Sequence, residues 1–144
     1  MRLEIVTAIL GVALAASGRP AQAEFSVRDY CEVTLRAREI AELEWKDRIS
    51  VAQLHQGPSA VLESKLRSLD PQYERLKGRL YAHYGTTFQD YLRYGASHRA
   101  AIRLYLEQDP DMRGALDASS RRVQSLRQHM ESVMSARHAA EERK

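Results

Sequence analysis

The chain contains no asparagine, one cysteine, one tryptophan and two phenylalanines in 144 residues. Without asparagine there is no acceptor for N-glycosylation. A lone cysteine, Cys31, excludes an internal disulfide, so packing alone must hold the fold. The expected role of Cys31 is a buried thiol on a helix, acting as a small apolar side chain, with a disulfide between two chains or capture by a redox partner as the alternatives. No apolar run after residue 23 reaches the length of a membrane span, about 20 residues. The signatures of common chemistries are missing too. There is no Cys-x-x-Cys, with or without a following histidine, no His-Glu-x-x-His, and no glycine-rich phosphate loop. Gly57-Pro58-Ser59-Ala60-Val61 fails the nucleophile-elbow pattern at its last position. The Glu-x-x-His order of di-iron bundles never occurs, since His138 and Glu141 stand in reverse order. These absences remove the usual grounds for proposing an enzyme, and no cofactor is implied.

Twenty-two basic and nineteen acidic residues give a net charge of +3. Eighteen of the basic residues are arginine, and that skew, with no asparagine at all, suggests a GC-rich bacterial genome. Arg2 precedes an apolar run from Ile5 to Ala16, which ends in Ser17-Gly18-Arg19-Pro20 and then Ala21-Gln22-Ala23. Charged, apolar and small-residue regions in that order predict a secretory signal peptide over residues 1–23, with cleavage after Ala23. Twelve apolar residues are too few to span a bilayer as a helix. The expected mature chain, 24–144, carries +2 and belongs in the periplasm or outside the cell. That location argues against a nucleic-acid partner, and no stable membrane insertion is expected after cleavage.

The rest of the chain reads as helices. Ser26 can cap a helix with Asp29 in its first turn, and no Gly or Pro follows until Gly57-Pro58. Glu32–Arg36, Glu42–Lys46 and Glu44–Arg48 lie four apart with the acid first, the favourable order on a helix face. A short helix is expected over Ser59–Ser68. Asp70 is the next expected cap, with Pro71 at the first helical position. Tyr73, Leu76, Leu80 and Tyr84 form one stripe, and Gly85 ends that helix in the left-handed region it tolerates.

Thr87, with Asp90 three residues on, starts a helix whose face carries Phe88, Tyr91, Gly95, His98, Ile102 and Leu106. Gly95 there predicts a close helix contact or a bend, at a propensity cost of about 1 kcal/mol. Asp109-Pro110 launches the last helix, where Met112, Leu116, Ser119, Val123, Leu126, Met130, Val133 and Arg137 alternate spacings of four and three. That is a heptad seam, interrupted by Ser119 and Arg137. The fold expected is all-α: a small antiparallel bundle of four to five helices in one domain. The long first and last helices should pack together, and the tail from Ala139 to Lys144 should fray.

Candidate sites follow from this layout. Tyr81, Tyr84, Phe88, Tyr91 and Tyr94 cluster around the Gly85 turn with Arg93, a composition found at binding surfaces. Tyr81 and Tyr94 fall off the core stripes and are expected to be exposed. His98 is expected in the core, with Tyr73 beside it if the helix through His98 runs antiparallel to the one before it. Those two with a carboxylate would be the first suspects for an enzyme. Met130, Met134 and His138 step by four along one face and are weak candidates for cuprous copper. His129 and His138, nine apart, point to opposite sides of one helix and cannot share a metal. The function expected is binding, as an envelope accessory or chaperone-like factor acting on a protein partner or unfolded client. A ligand- or copper-binding bundle is the alternative, and a homodimer through the C-terminal helix is a further option.

Overall fold

The structure is a computed structural model, and it describes residues 24–143. The expected leader, 1–23, lies outside the described residues. Six helices follow in order: α1 (Val27–Leu54), α2 (Ser59–Arg67), α3 (Asp70–His83), α4 (Phe88–Ser97), α5 (Arg99–Gln108) and α6 (Pro110–Glu141). The described part is all-α. Its axis is the pair α1–α6, of 28 and 32 residues, about 42 and 48 Å long at 1.5 Å per residue. These two pack along each other, α2 and α3 lie against α1, and α4 and α5 touch α1 lightly.

The helix ends are set by local chemistry. Ser26 and Asp29 form a full capping box: the Asp29 amide donates to Ser26 Oγ at 3.2 Å, and the Ser26 amide donates to Asp29 Oδ2 at 2.8 Å. Thr87 accepts from the Asp90 amide at 3.1 Å, and Asp109 from the Met112 amide at 2.9 Å. Gly85 alone among the described glycines has positive φ, +67°, as its place after α3 requires. Asp70 behaves otherwise than expected. Ser68 and Leu69 are themselves right-handed helical, so α3 follows α2 through a tight corner with no side-chain cap. Asp70 is thereby free to bond Arg48 of α1.

The heptad face of α6 is the face that α1 covers. Leu116, Ser119 and Met130 are buried and the other members half-buried. Its two interruptions have structural uses. Ser119 is fully buried, a small side chain that bonds its own helix through the Leu116 carbonyl at 2.9 Å. Arg137 donates to the carbonyls of His55 (2.6 Å), Gly57 (3.0 Å) and Ala52 (3.3 Å), and so caps the C-terminal end of α1 from another helix. The seam therefore packs on α1 within the chain. The tail also differs from expectation: α6 runs to Glu141, whose carboxylate accepts from Ser59 Oγ at 2.7 Å.

The core falls into two clusters at opposite ends of α1. One is aliphatic: Ile49, Ala52, Leu62, Leu66 and Met130, with Trp45, Leu126, Val133 and Met134 packed around them. The other, Val33, Leu80 and Tyr81, is ringed by Phe25, Ile40, Tyr84 and Tyr91. Between them the α1–α3 contact is polar. Glu44 holds Arg48 at 3.0 Å and Lys77 at 3.1 Å, and Tyr73 donates to Asp47. Of the three expected pairs along α1, Glu44–Arg48 forms. Glu42 instead pairs with Arg122 of α6 at 2.9 Å, and Glu32 takes Arg28 at 2.8 Å and the Tyr84 hydroxyl at 3.1 Å. Glu42 thus trades its local partner for one on α6, while Glu32 pairs backward along α1 and also reaches the end of α3.

Candidate functional site

One expected helix, 88–108, is two. His98 ends α4 and begins α5 at φ −114° and ψ 23°. No glycine or proline stands at the break. Ser97 Oγ donates to the carbonyls of Arg93 (2.9 Å) and Tyr94 (3.2 Å), and His98 Nδ1 lies 3.0 Å from the same Tyr94 carbonyl. These side-chain bonds wrap the last turn of α4, where the His98 amide also reaches the Tyr94 carbonyl at 3.0 Å. The His98 ring also stacks on Tyr94, 3.9 Å between centroids and 8° from parallel.

This break moves His98 to the surface and away from Tyr73. Tyr73 is buried between α3 and α1, bonded to Asp47, while His98 is exposed on the arm. The expected core histidine and its Tyr73 neighbour are therefore corrected. That antiparallel pairing assumed an unbroken helix lying on α3, and α3 lies on α1 instead.

The aromatic elbow is real but turned round. Tyr81, expected outside, is buried at 7% exposure, whereas Phe88, one face of the expected stripe, is 54% exposed. Tyr94, also expected outside, is half-buried by Phe25 edge-on at 5.0 Å and by Tyr30 stacked at 5.9 Å. Tyr91 stacks on Tyr30 at 4.8 Å, and its hydroxyl meets Thr34 Oγ1 at 2.7 Å. Thr34 donates to the Tyr30 carbonyl at 2.7 Å, so the Tyr91 hydroxyl must be the donor to Thr34. Burial, the largest cause, pushes the phenols of Tyr91, Tyr81 and Tyr84 up, keeping them neutral. Arg93 stays exposed, paired with Asp90 at 3.1 Å.

Sequence reading missed the partner that organises this set, Tyr30 of α1. Gly95 is the residue that admits it: a Cβ built there would fall 2.5 Å from Tyr30 Oη and 2.8 Å from two ring carbons. The close contact anticipated at Gly95 is therefore with a ring, not a helix backbone. Phe25, just before the capping box, was the other available signal, an aromatic spaced to reach the same turn of α4.

Beside this stack, Tyr30, the α4–α5 joint and the first half of α6 enclose a groove of about 750 Å³. Leu92, Ala96, Ile102 and Leu106 give it an apolar lining. Arg99, Arg103, Glu107, Arg113 and Asp117 add charges of both signs. No side chain of these five forms a hydrogen bond or ion pair among the described residues. No residue of α4 or α5 is buried, and Leu92 is 51% exposed on the groove side. An amphipathic pair of helices with an apolar face left open is a surface suited to contact.

The remaining candidates sit elsewhere. Met130 and Met134 are in or against the aliphatic cluster with their thioethers among Leu and Ile, while His138 is exposed. The helical spacing of that trio is the spacing of a core stripe. Among the described residues no group of three His, Cys, Asp or Glu is placed to hold a metal. Cys31 is 1% exposed, and burial followed by the charges of Asp109 and Glu32 pushes its thiol up. A second groove, of about 450 Å³, runs along α6, but its Arg38 is committed to the Leu116 carbonyl and its Arg127 to the Trp45 ring. Among the described residues no helix is long and apolar enough to cross a membrane. No family model, curated protein or solved structure matches the chain.

Proposed function

We propose that this is an exported helical protein of the cell envelope that works by binding other proteins, as an accessory or chaperone-like factor, through the open face of α4 and α5. The observation that carries the reading is the contrast within one chain: α4 and α5 are amphipathic yet hold no fully buried residue, and their apolar residues line a groove. The groove's composition supports protein as the partner. An apolar strip flanked by arginine, tyrosine and mixed charge is the make-up of a protein–protein contact. Export rests on the leader-like order of residues 1–23.

The test is retention and protection of clients. Protein recovered from the envelope should slow aggregation of an unfolded model protein, and the Leu92→Ser variant should do so several-fold less while keeping its helical circular dichroism. A chain found intact in the cytosol, or one that neither retains an envelope protein nor slows aggregation, would end this reading.

A further inference from the structure

The groove's charges identify what fits it. Arg99 and Arg103 stand one turn apart on α5, with Glu107 one turn further along the same face. Ile102 and Leu106 run beside them as the apolar edge. On the facing wall Arg113 and Asp117 repeat the opposition of sign. None of the five side chains is paired among the described residues. An anionic membrane or a simple anion would gain from the arginines but meet Glu107 and Asp117, so neither suits a mixed rim. A partner must bring both signs, in an order that reverses along the helix.

The geometry points to a second copy of this chain, and we propose that the α4–α5 face closes on itself across a two-fold axis. In such a contact each patch must complement itself. Two antiparallel α5 helices meet like edge to like edge. With the axis crossing α5 at the level of Tyr105, Arg103 of either copy lies beside Glu107 of the other, and the apolar edge of Ile102 and Leu106 runs alongside this charged pair. Exposed Leu92, one turn before Ala96 on α4, extends the apolar strip at each end. The α6 heptad seam is already filled by α1, so the pairing surface is the arm rather than the C-terminal helix. This inference rests on reading the arm as a binding face; pairing covers that face until a client displaces the second copy.

Sedimentation across a concentration series, on the chain as recovered from the cell, tests it with charge reversals. The wild type should dimerise with a dissociation constant of about 10 µM or tighter. Arg103→Glu or Glu107→Arg alone should weaken self-association at least about tenfold, because like charges then face each other. The double reversal should restore it to within about threefold of wild type, since the reversed pair is again complementary. Leu92→Glu should leave a monomer with unchanged helical content. A chain monomeric at millimolar concentration overturns the proposal, as does a double reversal no better than the singles. The outcome is separable from the function above. A monomer that still protects clients sinks the pairing alone, while a dimer that captures nothing upholds the pairing and sinks the client reading.

Discussion

The two ends of α1 are built on different rules. At its C-terminal end, Ile49 and Ala52 meet Leu62, Leu66 and Met130 in an aliphatic cluster, and Arg137 closes the helix by taking three carbonyls. At its N-terminal end the fillers are rings: Tyr30 against Tyr91 and Tyr94, Phe25 against Tyr94, and Tyr81 against both Tyr91 and Phe88. The first end is packed by α2 and α6, though Leu54 and Val61 stay exposed there. The second buries Cys31, Val33, Leu80 and Tyr81 and carries an arm with no fully buried residue, held by stacking on one face and open on the other. Each end has its own core, and the difference lies in what is laid over it.

The largest expected effect breaks the aliphatic end. Leu62, at 0% exposure, should cost about 2–5 kcal/mol when cut to alanine, whereas Leu104→Ala on the arm, at 54% exposure, should stay within about 0.5 kcal/mol. Urea denaturation of the two variants measures the contrast directly, and equal losses would erase it.

Gly95→Ala should cost about 1–3 kcal/mol although alanine is the better helix former, because the new methyl collides with the stacked Tyr30 ring. Near-ultraviolet circular dichroism should show the tyrosine stack disturbed. A stabilised variant would mean the arm does not depend on that fit.

Arg137→Ala should cost about 1–3 kcal/mol by leaving the carbonyls of Ala52, His55 and Gly57 without their donor. Faster amide exchange near the end of α1 and in α2 checks it, with the arm unaffected.

Alkaline pH should load the aromatic end. Burial holds the phenols of Tyr73 and Tyr91 far above the ordinary value of about 10. The folded chain therefore keeps protons that the unfolded chain gives up, so stability is full below about pH 10 and falls as pH rises beyond it. Tyr91→Phe should flatten that fall, at a cost of about 1 kcal/mol at neutral pH for the lost bond to Thr34. A stability–pH curve over the alkaline range, identical in both proteins, would contradict the assignment.

Much of this was legible in the residues. The caps at Ser26, Thr87 and Asp109, the left-handed Gly85 and the α6 stripe are local chemistry, and each appears where its pattern placed it. What escaped were effects of partners far along the chain. Nothing near Arg137 reveals that it caps a helix more than eighty residues away. Tyr81 looked exposed because its own helix stripe excludes it, yet it is covered by α1 and α4. The break at His98 has no glycine or proline of its own to mark it in the sequence. The candidate site suffered most, since a groove formed by α1, α4, α5 and α6 has no periodicity in any one of them.

Amide hydrogen exchange resolved along the chain tests the division of labour most directly. In dilute protein, amides of 88–108 should exchange through local opening, far faster than those of 44–52 and 119–133. They should slow as the protein is concentrated or a client is added. Exchange of 88–108 only through global unfolding, at the same rate as the α1–α6 core and indifferent to either addition, would contradict the account.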